Sequence, residues 1–360
     1  MSRPAGVIIL VWLAASAVAL SGCGGSAGGP SPEPGPPLIP DLPPPLSGSV
    51  HVAAVGDVLL DRGVQEAIAA NGMDSILAVV ADQLRRVDIT FGNLENPLAT
   101  TGARDPARSV FRGDPANVQV LVLGGFEIVS LANNHTLNSG PEALVETIDC
   151  LETAGIRYVG AAREEAHGSD PVFLDVRGLQ VGFLAYTDLD FAHGSYSRVD
   201  ADLTQLRQQI AAAKTACDVL LVSYHWGNMD QRRPTSRQVE VAHASIDAGA
   251  DAVLGHHPHV LQGLEVYRGR PILYSLGNFV FDQSSRSRRE GGLFELVYSA
   301  AGGWQVWMTP VAISMERMGP EYPTPQQRSA ILNGLQQWSG ELGASVDVVR
   351  GWAYVDCAGG

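Results

Sequence analysis

The amino-acid sequence predicts an α/β fold built on a mixed β-sheet, or on two sheets packed as a sandwich, with helices on the outside. From Val50 onward, short β-branched or apolar runs alternate with amphipathic runs. Two pairs of apolar runs are separated only by a short turn, and two further strand-like runs follow without a helix between them. Strands joined by helices form parallel crossover units, whereas strands joined by turns pair antiparallel, so both kinds of pairing are expected.

Strands and helices follow from these patterns in chain order. Strands are predicted at residues 50–55, 87–91, 127–131, 157–159, 218–223 and 251–254, with helices at 76–85, 141–154, 203–216 and 236–248. Hairpins are predicted at 171–177 with 179–186 and at 261–267 with 271–275, and antiparallel strands at 293–298 and 304–311.

The first 23 residues are expected to be a lipoprotein signal peptide. Arg3 precedes an apolar stretch at 7–20, and Leu20-Ser21-Gly22-Cys23 resembles a bacterial lipobox. That resemblance implies cleavage before Cys23, lipidation of its sulfur and anchoring at a membrane surface. An uncleaved membrane anchor and an ordinary secretory signal are the alternatives, and all three make the body extracytoplasmic, in the periplasm or on the cell surface.

Three further regions follow the signal. Residues 24–49 are rich in Gly, Pro and Ser and should form an extended spacer. Residues 50–320 form the predicted domain. Residues 321–360 carry one helical pattern at 326–337 and a late strand at 346–355, and we expect this appendage to pack on the same domain.

Composition excludes several classes of function. The formal net charge of −14 argues against nucleic acid as a partner. It would also repel an acidic polymer unless metal ions or a local arginine cluster reversed it. Lys214 is the only lysine, which argues against Schiff-base catalysis. The four cysteines form no CxxC pair, so Cys150, Cys217 and Cys357 are predicted to be buried thiols, or to contain at most one disulfide.

Histidines and carboxylates are concentrated at the predicted strand ends. Five of the nine histidines lie in three short motifs, each after an apolar run. The motifs are Asn133-Asn134-His135, His225-Trp226-Gly227 and Gly255-His256-His257-Pro258-His259. Carboxylates follow two other strands, in Val55-Gly56-Asp57 and Asn93-Leu94-Glu95. Ligands bind beyond the carboxyl ends of the strands in α/β sheets, so these groups should converge. Imidazole with carboxylate suits manganese, iron or zinc better than calcium.

Taken singly, the motifs have simpler interpretations. Asp57 or Glu95 after a glycine is commonly a turn or helix-cap residue, and Asn133-Asn134 is a common turn. His225 could be a buried structural histidine. Three histidines within four residues are harder to explain in this way, and the joint pattern favours a metal site.

The six motifs together resemble the CapA family of capsule-synthesis proteins, which is linked to poly-γ-glutamate production. Besides the five motifs above, the resemblance includes Tyr274-Ser275-Leu276-Gly277-Asn278-Phe279, and it covers about residues 50–281. The family is in turn similar to the calcineurin-like metallophosphoesterases. The resemblance therefore implies a two-sheet mixed sandwich flanked by helices, in four layers, with one or two divalent ions at the sheet edge.

The resemblance also implies a role for each motif residue. Asp57 would bind the first metal, Glu95 would take the bridging position with Asn93 nearby, and His135 would give a proton to the leaving group. Asn134, His225 and His257 would bind the second metal, and His259 would return to the first. His256 could orient a ligand, and Asn278 could contact substrate or close the floor of the site.

Two departures from the phosphoesterase pattern concern the first metal. Leu59 occupies the position of a metal-binding histidine, and glutamate or asparagine replaces the bridging aspartate. We expect this metal to be weakly bound or to be a harder ion such as manganese or magnesium.

The leading hypothesis is a lipid-anchored CapA-type protein that acts in synthesis, release or attachment of poly-γ-glutamate or a related anionic polymer. It would use metal-assisted hydrolysis or transfer at a phosphoester or amide, and a polymer-synthesis complex is the expected partner. One alternative is a non-catalytic, metal-dependent subunit that binds or assembles the polymer. The other is a general extracytoplasmic phosphoesterase.

Overall fold

The computed structural model describes residues 48–189 and 197–358, in which two β-sheets face each other. The predicted signal peptide, Cys23 and nearly all of the predicted spacer lie outside the described residues. Sixteen strands are described: β1 Ser49–Val58, β2 Ile89–Leu94, β3 Ile128–Ser130, β4 Arg157–Val159, β5 Val172–Val176, β6 Leu179–Thr187, β7 Val219–His225, β8 Ala252–His256, β9 Leu264–Tyr267, β10 Arg270–Leu273, β11 Asn278–Val280, β12 Glu290–Ser299, β13 Gly303–Ile313, β14 Pro320–Glu321, β15 Asp347–Val349 and β16 Trp352–Asp356.

Both sheets combine parallel and antiparallel pairing. The first runs β15-β16-β13-β12-β1-β2-β3-β4, with β11 beside β1 and β14 beside β13; the second runs β5-β6-β7-β8-β10-β9. Strands linked through helices, such as β1 and β2 or β7 and β8, are parallel. Strands linked by turns, such as β5 and β6 or β12 and β13, are antiparallel. The predicted two-sheet mixed sandwich is therefore confirmed.

Helices cover the outer faces and complete four layers. Eight α-helices are described: α1 Arg62–Asn71, α2 Asp74–Leu77, α3 Ala81–Arg85, α4 Val118–Gly124, α5 Pro141–Thr153, α6 Thr204–Lys214, α7 Ser236–Ala248 and α8 Pro325–Gly340. Apolar residues of α1 to α5 pack on the first sheet, and those of α6 and α7 pack on the second. Apolar residues of α8 join the core between the sheets.

Strand β1 shows why the central strands are apolar on both faces. It is buried along its whole length. Val52 and Ala54 face the core between the sheets, whereas Ala53 and Val55 face the helices. Since successive side chains point to opposite faces, a strand covered on both sides needs apolar residues throughout.

Two of the predicted elements have a different form in the structure. The helix predicted at 76–85 is divided into α2 and α3 around Val79 and Val80, a β-branched pair with low helix propensity, and Val80 is fully buried. The late strand predicted at 346–355 is a hairpin of β15 and β16, because Arg350 and Gly351 turn the chain with φ of 51° and 92°. Helices α1 and α4 were not predicted.

The described residues include three of the four cysteines and all eight helices listed above. Cys150, Cys217 and Cys357 are free thiols, so the alternative of a disulfide among them is wrong. Cys357 is buried as predicted, whereas Cys150 and Cys217 are partly exposed. Within residues 48–189 and 197–358, none of the helices has the length and apolarity needed to cross a bilayer.

We predict that Gly255→Ala lowers the free energy of unfolding by about 2–3 kcal/mol through overpacking. A Cβ on this β8 residue would lie 2.0 Å from the carbonyl oxygen of Tyr274 and 2.7 Å from Nε1 of Trp226. That carbonyl accepts the indole N–H of Trp226 at 2.9 Å, so the hydrogen bond would be lost as well.

Urea unfolding of the two variants Gly255→Ala and Gly340→Ala provides the measurement and its control. A Cβ at Gly340, in the last position of α8, would contact nothing within 4 Å, so that variant should be at least as stable as the wild type. Equal stability of both variants would contradict the predicted close packing at Gly255.

Candidate metal centre

The carboxyl ends of neighbouring strands bring the polar motifs together. Asp57 in β1 lies in register with Asn93 in β2 and with Asn278 in β11. His225 and His256, the last residues of β7 and β8, lie side by side in the second sheet. Because parallel strands end at the same sheet edge, residues far apart in sequence meet at one site.

A β-bulge sets the position of Asp57. The register between β1 and β2 shifts between Ala54 and Asp57. Within this irregularity, Gly56 approaches Gly277 so closely that a Cβ would lie 2.0 Å from the Gly277 carbonyl oxygen. That oxygen accepts the backbone N–H of Asp57 at 3.0 Å. Gly56 therefore permits the close backbone contact that holds Asp57 at the site.

Asp57, Glu95 and His225 form the centre of the site. Their side chains offer one ligand atom each, all within 4.8 Å of one another. All three residues are at most 1 % exposed. Two carboxylates and an imidazole buried together are a ligand set that divalent transition metals accept.

Asp57 is surrounded by histidines of the third histidine motif. Its Oδ1 lies 3.4 Å from Nδ1 of His256, and its Oδ2 lies 3.2 Å from Nδ1 of His259. The backbone N–H of His257 donates to Oδ2 at 3.3 Å. Burial tends to raise the pKa of Asp57, but the hydrogen bonds and charges of His256 and His259 outweigh it, and the pKa lies well below its usual value. Asp57 is therefore a carboxylate.

Glu95 faces three imidazoles at distances longer than a hydrogen bond. Its Oε1 lies 3.8 Å from Nε2 of His135 and 4.0 Å from Nε2 of His259, and its Oε2 lies 3.9 Å from Nδ1 of His225. Among the described residues, Oε1 of Glu95 and Nδ1 of His225 have no hydrogen-bond partner. Ligands bonded to one ion at about 2.0–2.2 Å lie roughly 3–4 Å from one another. The separations of Glu95 from His225 and His259 fit a shared cation, with His135 at the edge of the ligand set.

The electrostatics of the site also fit a cation. Burial, followed by the charge of Asp57, raises the pKa of Glu95 to about 8. Burial lowers the pKa of His257 to about 3 and that of His225 well below its usual value, so both rings are neutral. Neutral imidazoles can bind metal without losing a proton, and a positive ion would offset the repulsion between the carboxylates. The buried Asp, Glu and His residues therefore form a site suited to a divalent metal.

Asn93 separates the two carboxylates. Its Nδ2 donates to Oδ1 of Asp57 at 2.8 Å and to Oε2 of Glu95 at 2.5 Å. Its Oδ1 accepts from Nδ2 of Asn133 at 3.0 Å, and Oδ1 of Asn133 accepts the backbone N–H of His135 at 2.9 Å. Asn133 received no role from the sequence, although it lies within a quoted motif. It connects the motifs of Glu95 and His135.

Asn134 and His257 lie together on the side of the His225 ring that faces away from Glu95. Oδ1 of Asn134 is 2.7 Å from Nε2 of His225, which is 3.1 Å from Nδ1 of His257. The residues expected at a second metal are thus adjacent. His225 directs Nδ1 towards Glu95 and Nε2 towards this group, so its ring separates the two halves of the site.

His135 has a defined protonation pattern. Oδ1 of Asn138 accepts the backbone N–H of Phe111 at 3.2 Å and lies 2.7 Å from Nδ1 of His135. An oxygen can only accept, so Nδ1 carries the proton. Nε2 then accepts from Nδ2 of Asn134 at 3.0 Å and lies 3.8 Å from Oε1 of Glu95. Burial lowers the pKa of His135 to about 4, which keeps the ring neutral. The Phe111 ring covers it at 4.4 Å between centroids. Sequence reasoning missed Asn138 and Phe111, because nothing local marks them.

His259 is oriented by Asn278. Oδ1 of Asn278 lies 2.8 Å from Nδ1 of His259, and its Nδ2 donates to the carbonyl oxygen of Arg288 at 2.9 Å. Burial lowers the pKa of His259, but the hydrogen bond and charge of Asp57 outweigh it, so the pKa is raised. Asn278 is fully buried, and its side chain supports a histidine of the site.

Leu59 lies in an apolar cluster. It is fully buried and packs with Phe111, Phe281 and Ile313. Leu59 therefore offers no metal ligand to the site. Ten of the eleven residues predicted for function lie at this site, and Cys23 lies outside the described residues.

Comparison with known proteins places these residues within a matched region. The family model described as "Bacterial capsule synthesis protein PGA_cap" matches residues 51–283. The Capsule biosynthesis protein CapA of Bacillus anthracis is 33 % identical over 254 residues, which cover 67 % of this chain and 62 % of that protein. The match thus spans less than two thirds of the B. anthracis protein.

Another relative and a solved structure are also similar. The PGA biosynthesis protein CapA of Bacillus subtilis (strain 168) is 31 % identical over 289 residues, covering 78 % of this chain and 76 % of that protein. A solved structure of a novel phosphatase from Mycoplasma pneumoniae superposes with a TM-score of 0.46 and 12 % identity, covering 79 % of this chain and 98 % of that chain.

We predict that His225→Ala and His257→Ala each weaken manganese binding by more than about tenfold, because each removes an imidazole from the buried ligand set. Metal content after gel filtration, measured by mass spectrometry, and calorimetric titration with Mn²⁺ would report the loss. His167→Ala is the control, because His167 is exposed and contacts Asp170 away from the site. Metal binding equal to wild type in both site variants would contradict the assignment.

Proposed function

Because the chain belongs to the CapA family of bacterial capsule synthesis proteins (PGA_cap), which takes part in poly-γ-glutamate capsule synthesis, we propose that it acts chemically on that polymer. The proposed reaction is metal-assisted hydrolysis or transfer at an amide or phosphoester of poly-γ-glutamate or a related anionic polymer. It would serve in synthesis, release or surface attachment of the polymer.

One observation supports the proposal: His135, a residue able to transfer protons, lies beside a buried ligand set suited to a divalent metal. Nε2 of His135 lies 3.8 Å from the unpartnered Oε1 of Glu95. A divalent ion held by Asp57, Glu95, His225, His257 and His259 would polarise the attacked group and offset its developing negative charge. The ligand side chains would hold the ion, and His135 would transfer the proton.

His135 is suited to donate a proton only when substrate is bound. Its ring is neutral in the free protein, with the proton on Nδ1. An anionic substrate group near Nε2 would raise the pKa of His135 and favour protonation there. Asn138 would hold the ring in place, and Phe111 would exclude water from one face. His135 could then protonate the leaving group.

A non-catalytic role in polymer binding or assembly is the second candidate. Leu59 supports it, because an apolar side chain occupies a position that could otherwise supply a ligand, and a poorer ligand set lowers metal affinity. A surface complex for polymer synthesis could then be the partner.

One assay separates these functions. The full chain loaded in turn with Mn²⁺, Zn²⁺, Fe²⁺ or Mg²⁺ is incubated with poly-γ-glutamate, and products are identified by mass spectrometry. Chain shortening or transfer that stops with chelator supports catalysis. Binding without turnover under every metal supports the assembly role. Hydrolysis of simple aryl phosphates with no effect on the polymer supports a general phosphoesterase.

We predict that His135→Ala lowers turnover by about 10²- to 10⁴-fold, the usual contribution of general acid–base catalysis. Metal content should remain that of wild type, because Nε2 of His135 lies at the edge of the ligand set. Steady-state kinetics and metal analysis of the same preparations test both parts. Unchanged turnover with full metal content would remove His135 from the mechanism.

The location of the protein is proposed from its first residues. We propose a membrane-anchored lipoprotein at the bacterial cell surface or in the periplasm, lipidated at Cys23. The support is the order of charged, apolar and small residues that ends in Leu20-Ser21-Gly22-Cys23.

Cys23→Ser is therefore expected to move the protein from the membrane fraction to the soluble fraction and to abolish incorporation of labelled palmitate. The membrane affinity of the lipidated form depends on its acyl chains, and these need the Cys23 sulfur. Cys150→Ser controls for loss of a thiol, since Cys150 is a free cysteine of the folded body. Absence of label in the wild type would refute lipidation.

A further inference from the structure

Arg62 lies against the apolar cluster beside the metal centre. Arg62 opens α1, five residues after Asp57. Its guanidinium lies 4.6 Å from the ring centroid of Phe111 and 5.5 Å from that of Phe281. Each ring contacts a histidine of the site: Phe111 contacts His135 at 4.4 Å and Phe281 contacts His259 at 5.1 Å. Phe111 thus lies between the guanidinium and His135, and Phe281 lies between the guanidinium and His259.

The side chain of Arg62 retains hydrogen-bonding capacity. One terminal nitrogen binds the Asp282 carboxylate, which also accepts the backbone N–H of Gly63 at 3.1 Å. Its Nε is buried and has no acceptor among the described residues. A buried guanidinium N–H without an acceptor is unfavourable, so this donor is suited to an acceptor supplied by a ligand.

The backbone holds Arg62 in an uncommon conformation. Its φ is 52°, in the left-handed region, which costs a residue with a Cβ about 1–2 kcal/mol. The preceding residue, Asp61, is fully buried and is held by Arg104 and by the backbone N–H of Arg112. The rigid surroundings therefore fix the direction in which the Arg62 side chain leaves the chain.

The positive charge of Arg62 lies close to the site, one aromatic ring away from His135 and from His259. An anionic ligand approaching a protein of net charge −14 needs such a local attraction. Arginine is suited to this task, because its planar fork of donors matches carboxylate and phosphate oxygens.

We propose that Arg62 binds an anionic oxygen of the substrate beside the metal centre and thereby positions the group that is attacked. The inference rests on the proposed action on an anionic polymer. The ligand chemistry is a carboxylate or phosphoryl oxygen adjacent to the scissile bond. Phe111 and Phe281 flank the guanidinium and limit the directions of approach, so Arg62 contributes to specificity for anions.

Variants of Arg62 in the full, manganese-loaded chain test this proposal. Calorimetric titrations use two probes, inorganic phosphate and a γ-linked tri-glutamate peptide, which distinguish the phosphoryl from the carboxylate source. Arg62→Met should weaken binding of at least one probe by about tenfold or more, because a charge-assisted hydrogen bond is lost. Arg62→Lys keeps the positive charge but loses the planar set of guanidinium donors, so this variant should bind the probes with intermediate affinity.

Arg177→Met is the matched control. The Arg177 side chain is 29 % exposed and pairs with Asp88, which is 18 % exposed, compared with 23 % and 16 % for Arg62 and Asp282. Asp88 precedes β2, so this pair lies at the opposite, amino ends of the parallel strands. The control should retain wild-type affinity and metal content, and its ion pair is lost in the same way as that of Arg62→Met, so the two variants are compared at matched cost in stability.

The proposal is overturned if Arg62→Met binds both probes as tightly as Arg177→Met, if it loses bound manganese, or if the wild type binds neither probe. A failure of the proposed hydrolysis or transfer would give a different result. A wild-type chain that binds a probe through Arg62 but never produces turnover supports the anion site and contradicts the proposed reaction.

Discussion

The repulsion between two buried carboxylates is the constraint on which the site depends. Asp57 and Glu95 are both fully buried and share the amide of Asn93. The protein offsets their charge only in part: histidines around Asp57 keep it ionised, whereas burial and the neighbouring charge raise the pKa of Glu95. Imidazoles stand just beyond hydrogen-bond reach of Glu95. A divalent ion would offset the remaining negative charge. Binding of such an ion would explain why these polar groups are buried.

The fold makes this arrangement possible by ending parallel strands of two sheets at one place. The first sheet supplies Asp57 and Asn93, and the second supplies His225 and His256. Close backbone packing at Gly56 and Gly255 leaves no room for side chains behind the site. Apolar residues cover both faces of the central strands, so the strand ends are held rigidly and polar loops can carry the ligands.

Much of the fold and the candidate site could be predicted from sequence patterns. The strand and helix order follows from hydrophobic periodicity, and the motif residues could be selected because histidines, asparagines and carboxylates recur after apolar runs. Asn133, Asn138, Phe111 and Arg62 could not be selected in this way. Asn138 and Phe111 acquire their roles only by contact with His135, and Phe111 is 24 residues from it in sequence. Hydrophobic periodicity also predicted one continuous helix at 76–85, which the structure divides at Val79 and Val80.

The sequence by itself determined the alternation of elements, the apolar character of the central strands and the chemical types of the ligands, because these depend on local residue order. Only the tertiary structure decided which ligand atoms meet. It placed Asn93 between two carboxylates, turned Asn278 towards His259, filled the Leu59 position with apolar contacts and set Arg62 between two aromatic rings. The physical reason is that these contacts join residues separated by up to hundreds of positions, and their distances depend on strand register and sheet packing.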